Sequence, residues 1–391
     1  MCVSFHLQTV VFYTYSTMKT KQLISAFESF APTYLANEWD NVGLLVGAPD
    51  WSANKILLTI DLTEAVLQEA IAMKVNAIVS YHPPIFHPLK SVTDRSFKER
   101  VVLDAISHKI AIYSPHTSLD VAKGGVNDWI VDGIGKGDVR ALRPFGNLPP
   151  DEECKLITFC PEENIEELRL ALSSVSCGRI GNYEQCSFTT SGTGTFVGGQ
   201  NTNPTHGESG TLQRVTECKF EMVVSKSSLS LAIQALRQFH PYEEPALEVH
   251  ELCERPRRDM GIGRRILLDH PIQIDGLARK LKKHLGVGYV RVAPAVGKDD
   301  RAQVQTIGLC AGAGGSVCEL AIDDGCEVFI TGEMTHHNVV AATARGCTVM
   351  LTGHTNSERG YLPKLKEQLV ELLPKANIAV STADAPLWTY F

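Results

Sequence analysis

Two runs of alternating strand and helix patterns, parted by a middle stretch with a different order, constrain this chain more than anything else in it. An amphipathic segment from Lys19, with Leu23, Ile24, Phe27 and Phe30, predicts a first helix. Ile56–Ile60 then reads as a buried strand, Thr63–Lys74 as a helix and Ala77–Ser80 as a strand. A helix near Phe97–His108 leads to the strand Ile110–Tyr113. The same rhythm returns near the end. Val304–Cys310, Glu327–Ile330, Cys347–Leu351 and Asn377–Val380 read as strands, and helices are predicted over Ser316–Asp323, His336–Ala344 and Glu358–Leu373. Such alternation implies parallel sheets covered by helices.

The middle is different. Strands at Lys155–Cys160, Tyr183–Thr190, Val215–Val224 and Ala246–Leu252, with helices at Asn164–Val175 and Leu229–Phe239, give the β-α-β-β-α-β order of the ferredoxin-like plan. The Gly/Thr/Asn-rich stretch Ser191–Thr211 predicts a mobile loop. The expected fold class is therefore α/β, two βα halves (19–149 and 259–391) around an inserted α+β segment (150–258). Residues 1–18 are expected to be a disordered extension.

Composition narrows the function classes. A net charge of −7 leaves no whole-protein basic footprint, so nucleic acid is not an expected partner. No run approaches the 18 apolar residues a membrane span requires. The 11 cysteines include no C-x-x-C pair and read as reduced, buried thiols. The first 17 residues carry no Lys or Arg, so neither a secretory signal nor a mitochondrial presequence is expected, and the cytoplasm is the expected location.

In open parallel sheets, ligands bind beyond the carboxyl ends of strands. His82 follows Ala77–Ser80, His116 follows Ile110–Tyr113, and His354 follows Cys347–Leu351. Asp120 and Glu358 stand four residues after the last two. Taken singly, each His reads as a capping or packing residue and each carboxylate as a partner of a helix N-terminus. Jointly, imidazoles and carboxylates without thiolates suit Zn, Fe, Mn, Co or Ni, up to two ions with open positions. Asp61-Leu62-Thr63-Glu64 reads first as a helix N-cap, supplied by the Asp or the Thr, with support of a ligand as the other role of Asp61. Glu333 is a candidate general base or ligand orienter, so Asp61 and Glu333 are the catalytic candidates. His336-His337 reads as a helix start. Cys310–Ser316 reads as a tight glycine turn, its alternative being a phosphate site.

These loops also carry a resemblance. Glu38-Trp39-Asp40-Asn41-Val42-Gly43-Leu44, Ser80-Tyr81-His82-Pro83-Pro84-Ile85-Phe86, Pro115-His116-Thr117 with Asp120, and Gly353-His354 with Ser357-Glu358 resemble the Nif-three-like family, whose bacterial members are GTP cyclohydrolase 1 type 2 homologues. The resemblance runs from about Lys19 to Leu387. Ser191–Phe196 and His240–Ala246 resemble the P-II/CutA-like insert of longer members. The resemblance implies a dinuclear metal body with His82, His116, Asp120, His354 and Glu358 at ligand positions, and hexamers built as trimers of dimers. It departs at Tyr81, where many bacterial members have His; a phenol, with an ordinary pKa of about 10, is the poorer ligand. Two functions follow. One is a metal-dependent hydrolase acting on a small substrate such as a nucleotide. The other is a non-enzymatic regulatory or interaction protein, with transcription-related partners or a metal-sensing role.

Overall fold

The computed structural model describes residues 17–147 and 149–388. It divides into two compact units, one formed by the chain up to Phe145 together with Arg257 onward, the other by Gly146–Pro256. Of the expected extension, residues 1–16 lie outside the described residues. Met18 belongs to the body instead: its side chain is buried in the core and its N–H donates to Asn54 Oδ1 at 2.8 Å.

The first unit holds two sheets. One has five strands in the order Gly43–Val46, Ala111–Ser114, Ala77–Ser80, Lys55–Thr59, Asn377–Val380, parallel except for the first. The other has six, in the order Arg291–Ala293, Thr348–Leu351, Val328–Glu333, Gln303–Ala313, Arg264–Gln273, Gly137–Arg140, with three neighbouring parallel strands at its centre. The two halves of the chain share their sheets. The last strand of the chain completes the first sheet, and Gly137–Arg140 completes the second. Gly-Asp-Val-Arg has one apolar side chain and lies on a half-exposed edge, so it carries no periodic signal.

Two helices with no counterpart in the sequence reading, Val126–Ile134 and Ile274–Leu285, pack together between these elements. His284 Nε2 bonds the Trp129 carbonyl at 2.8 Å, and the two rings lie 4.5 Å apart. Apolar residues of both sheets and both helices share one core, including Ile56, Val79, Ile130, Leu277, Ile307 and Val328. Buried Arg264 ties the six-stranded sheet to the helix Val126–Ile134 and to the segment before it. It pairs with Asp128 and donates to the carbonyls of Ala122 at 3.0 Å and Gly261 at 2.9 Å. Every donor of the fork thus has an acceptor, which a buried guanidinium requires.

Capping follows the sequence. Thr63 caps Glu64–Ala72 by accepting from Val66 N, Ser96 and Glu99 form a capping box on Phe97–Ser107, and Thr335 caps His336–Ala344. The expected helix from Glu358 begins only at Leu362. Two 3₁₀ turns, Thr355–Ser357 and Arg359–Tyr361, precede it, with Pro363 in the first turn of the helix.

The second unit has the expected β-α-β-β-α-β order. Its sheet runs Leu247–Glu251, Cys154–Cys160, Leu212–Val224, Ser187–Val197, all antiparallel. The predicted mobile loop is corrected at its start. Ser191–Val197 is strand, paired residue for residue with Leu212–Cys218, because the Thr and Phe of this segment favour a strand despite its glycines.

Candidate metal centre

The carboxyl ends of strands from both sheets of the first unit open into one cavity of about 760 Å³. His82 follows Ala77–Ser80 and His354 follows Thr348–Leu351. Glu358 sits between the two 3₁₀ turns and is 2% exposed. Ligand atoms of His82, His354 and Glu358 all lie within 4.8 Å of one another. Glu358 Oε2 is 3.5 Å from His82 Nε2, and Oε1 is 3.7 Å from His354 Nε2. His82 Nε2 and Glu358 Oε2 are buried and make no hydrogen bond.

A carboxylate stands behind each imidazole. His82 Nδ1 donates to Asp61 Oδ1 at 2.9 Å, His354 Nδ1 to Glu333 Oε1 at 3.0 Å, and His116 Nδ1 to Asp40 Oδ1 at 2.7 Å. In the neutral ring each contact leaves the Nε2 lone pair free for a ligand, the arrangement metal-binding histidines adopt. Asp61 is thus a His partner rather than the N-cap, a position Thr63 takes. Asp61 Oδ2 faces Arg359 at 3.8 Å, and Arg359 in turn pairs with Asp384 at 2.5 Å. Asp40 is a functional residue that no local pattern in the sequence points to. The signal that marks it is distributed, since Asp40 and His116 stand 76 residues apart.

His116 lies beside the cluster, its ring 5.3 Å from that of His82. Its φ is +28°, a conformation costly to a non-glycine residue and held here by its bonds. Asp40 Oδ2 receives the Thr117 N–H at 3.1 Å and the Thr117 hydroxyl at 2.5 Å. Asp120 is on the same short helix, His116–Val121, and accepts a short hydrogen bond from the Tyr81 hydroxyl. Asn127 fixes this helix across the body, its amide donating to the Asp120 carbonyl and its Oδ1 accepting from Ala311 N.

Electrostatics follow from this packing. Burial alone would depress His82, but the hydrogen bond to Asp61 and the adjacent Glu358 carboxylate override it and, with no metal bound, raise its pKa to about 10. Burial pushes Asp120 up to about 6, against the opposing pull of His116 and Tyr81. Burial, with the Asp120 charge, raises Tyr81 well above the phenol range, so it stays a donor. Burial would raise Asp40 as well, yet His116 and Thr117 hold it below the usual carboxylate value.

The donor set fits a divalent cation: two imidazole nitrogens and a carboxylate, with a buried nitrogen and a buried oxygen lacking partners. The glycine turn supplies the space. Gly312 has φ +64°, and a Cβ there would lie 2.8 Å from Glu358 Oε1 and 3.4 Å from His354 Nε2. This turn therefore serves as a wall of the cluster. His336 and His337 are exposed on their helix, as a helix start predicts. Burial raises the Cys310 thiol, which lines the cavity as a neutral group.

An α/β body whose strand ends converge imidazoles and carboxylates on a cleft is the class defined by this fold and site. The chain matches the Duf34/NIF3 (NGG1p interacting factor 3) family over residues 18–386 and belongs to it. It is 35% identical to NIF3-like protein 1 of Rattus norvegicus, over 94% of this chain and 92% of that one. It is 33% identical to the GTP cyclohydrolase 1 type 2 homolog of Halalkalibacterium halodurans, over 90% and 92%. The crystal structure of a Bacillus cereus protein related to NIF3 superposes with a TM-score of 0.64 at 32% identity, covering 95% of this chain and 99% of that one.

Proposed function

We propose that the cleft holds divalent metal and that the chain is a metal-dependent hydrolase acting on a small substrate. The observation that carries this reading is the convergence of His82, His354 and Glu358 ligand atoms on one place, with His82 Nε2 and Glu358 Oε2 buried 3.5 Å apart and neither hydrogen-bonded. An orphaned nitrogen and carboxylate oxygen in one buried place are costly unless a cation joins them. His82, His354 and Glu358 would hold the first ion, and His116 with Asp120 a second. When bound, such an ion supplies Lewis acidity to a substrate oxygen and to water.

The rest is done by the chain. Asp61, Glu333 and Asp40 orient the three imidazoles. Asp61 is committed to His82 and Arg359 and Glu333 to His354, and of the two only Asp61 is among the residues lining the cavity. Because the Tyr81 hydroxyl occupies an oxygen of Asp120, the second position is the weaker one. A nucleotide is the substrate class we favour, on the name of the bacillar relative. The second unit is read as a P-II/CutA-like insert on the order of its elements, and the working form as a hexamer, which light scattering would test.

Metal analysis of protein purified without chelators tests the site. Retained metal, lost in His354→Ala, supports it; bare wild-type protein overturns it. Protein loaded with Mn, Fe or Zn and offered a nucleotide panel should release product, and His116→Ala should not. If no metal gives product above that variant, the hydrolase reading fails and the interaction reading takes its place.

A further inference from the structure

The second unit contains a pocket of its own. Gly192, Gly194 and Phe196 alternate along one face of Ser187–Val197, and Glu217 on the neighbouring strand pairs with Gly192. A Cβ on Gly194 would lie 1.9 Å from Glu217 Oε1, so the missing side chain is what lets this carboxylate lie across the sheet. The Tyr242 hydroxyl donates to Glu217 Oε2 at 3.1 Å. Tyr242 is held in turn through His240, whose Nδ1 accepts the Tyr242 N–H and whose Nε2 bonds the Phe159 carbonyl, both at 3.1 Å.

These groups enclose a cavity of about 320 Å³, walled by Phe159, Phe196 and Tyr242. His206 also lines it, its ring 6.3 Å from Tyr242 and perpendicular to it, with Nε2 buried and without a hydrogen bond. No Lys or Arg is among the lining residues. Of the other lining carboxylates, Glu243 accepts from Asn203 N at 3.0 Å and Glu244 faces Arg237 at 3.7 Å. Glu217 therefore has an oxygen left for a ligand, in a cavity with aromatic faces and no countercharge for an anion.

We propose that this cavity is a second ligand site, taking a small planar organic cation such as an amidinium, a guanidinium or a protonated heteroaromatic amine. The ring faces attract a cation through their quadrupoles, and Glu217 accepts its N–H groups in charge-assisted bonds. A phosphate or carboxylate would meet Glu217 with no Lys or Arg among the lining residues and is refused.

Calorimetric titration of the intact chain with benzamidine tests this, with benzoate and inorganic phosphate as the anionic arms. Benzamidine should bind saturably, one per chain, and neither anion should bind. Glu217→Gln, which keeps shape and removes charge, should weaken binding about tenfold or more. Gly194→Leu should abolish it by displacing the Glu217 carboxylate, and His82→Ala should leave it unchanged. No saturable binding, equal binding of benzoate, or full binding by a folded Glu217→Gln variant overturns the proposal. Loss of binding in His82→Ala would place benzamidine in the other unit and overturn it equally.

Discussion

Gly312→Ala separates backbone strain from loss of the metal cluster. At φ +64° an alanine costs roughly 1–2 kcal/mol of conformational strain. That cost is not diagnostic, because Gly297→Ala, at φ +81° with nothing within 4 Å, would carry a similar one. The difference lies in what the methyl meets. At 2.8 Å from Glu358 Oε1 it forces the carboxylate away from His82 and His354, and disturbances of ligand support of this kind weaken metal binding by roughly 10–100-fold. At a metal concentration 100 times the wild-type Kd, binding adds about 2.7 kcal/mol to stability. A 100-fold weaker site at the same concentration adds only about 0.4 kcal/mol. Denaturant unfolding of wild type, Gly312→Ala and Gly297→Ala, each with and without Zn or Mn, reads that increment directly. The reasoning is refuted if Gly312→Ala keeps the whole metal increment, or if Gly297→Ala loses it.

Four further outcomes are expected. Asp61→Asn should lower metal affinity about 10–100-fold by titration, since His82 loses the carboxylate that orients it. Tyr81→His should raise the bound metal per chain, measured by elemental analysis, because it replaces the donor on Asp120 with an imidazole. Arg264→Met should destabilise the chain by about 3 kcal/mol in urea, leaving Asp128 without its partner and the Ala122 and Gly261 carbonyls without a donor. Burial would raise Glu69, but hydrogen bonds from Ser381, Thr382 and Ala383 override it and hold its pKa below the ordinary 4.5. Its stabilisation is therefore present above that pH and lost as the pH falls through the lower folded value, and Glu69→Gln should flatten this acid limb of the stability profile.

Much of the site was legible because it obeys a rule of position. His82, His116 and His354 each follow a buried apolar strand, and strand ends of an α/β sheet face one cleft. The geometry brings His82, His354 and Glu358 into one cluster and sets His116 and Asp120 beside it. What was not legible depends on partners remote in sequence. Either Asp61 or Thr63 suits the helix cap in sequence, and the fold assigns it to Thr63 and leaves Asp61 for His82. Asp40 has no local pattern at all. Gly312 read as a turn because φ leaves a trace in sequence, whereas the carboxylate 2.8 Å from its absent side chain does not.

The two sheets complete each other's edges, and this has a consequence for biosynthesis. Asn377–Val380, which covers the open side of Lys55–Thr59, leaves the ribosome roughly 300 residues after it. At ordinary translation speeds that exposed edge waits roughly 20–60 s for its mate. Throughout that interval it can template pairing with a neighbouring nascent chain. Asp384, which clamps Arg359 behind Asp61, arrives later still. A messenger truncated before this point would thus yield a product with both an adhesive flank and an unbraced cleft.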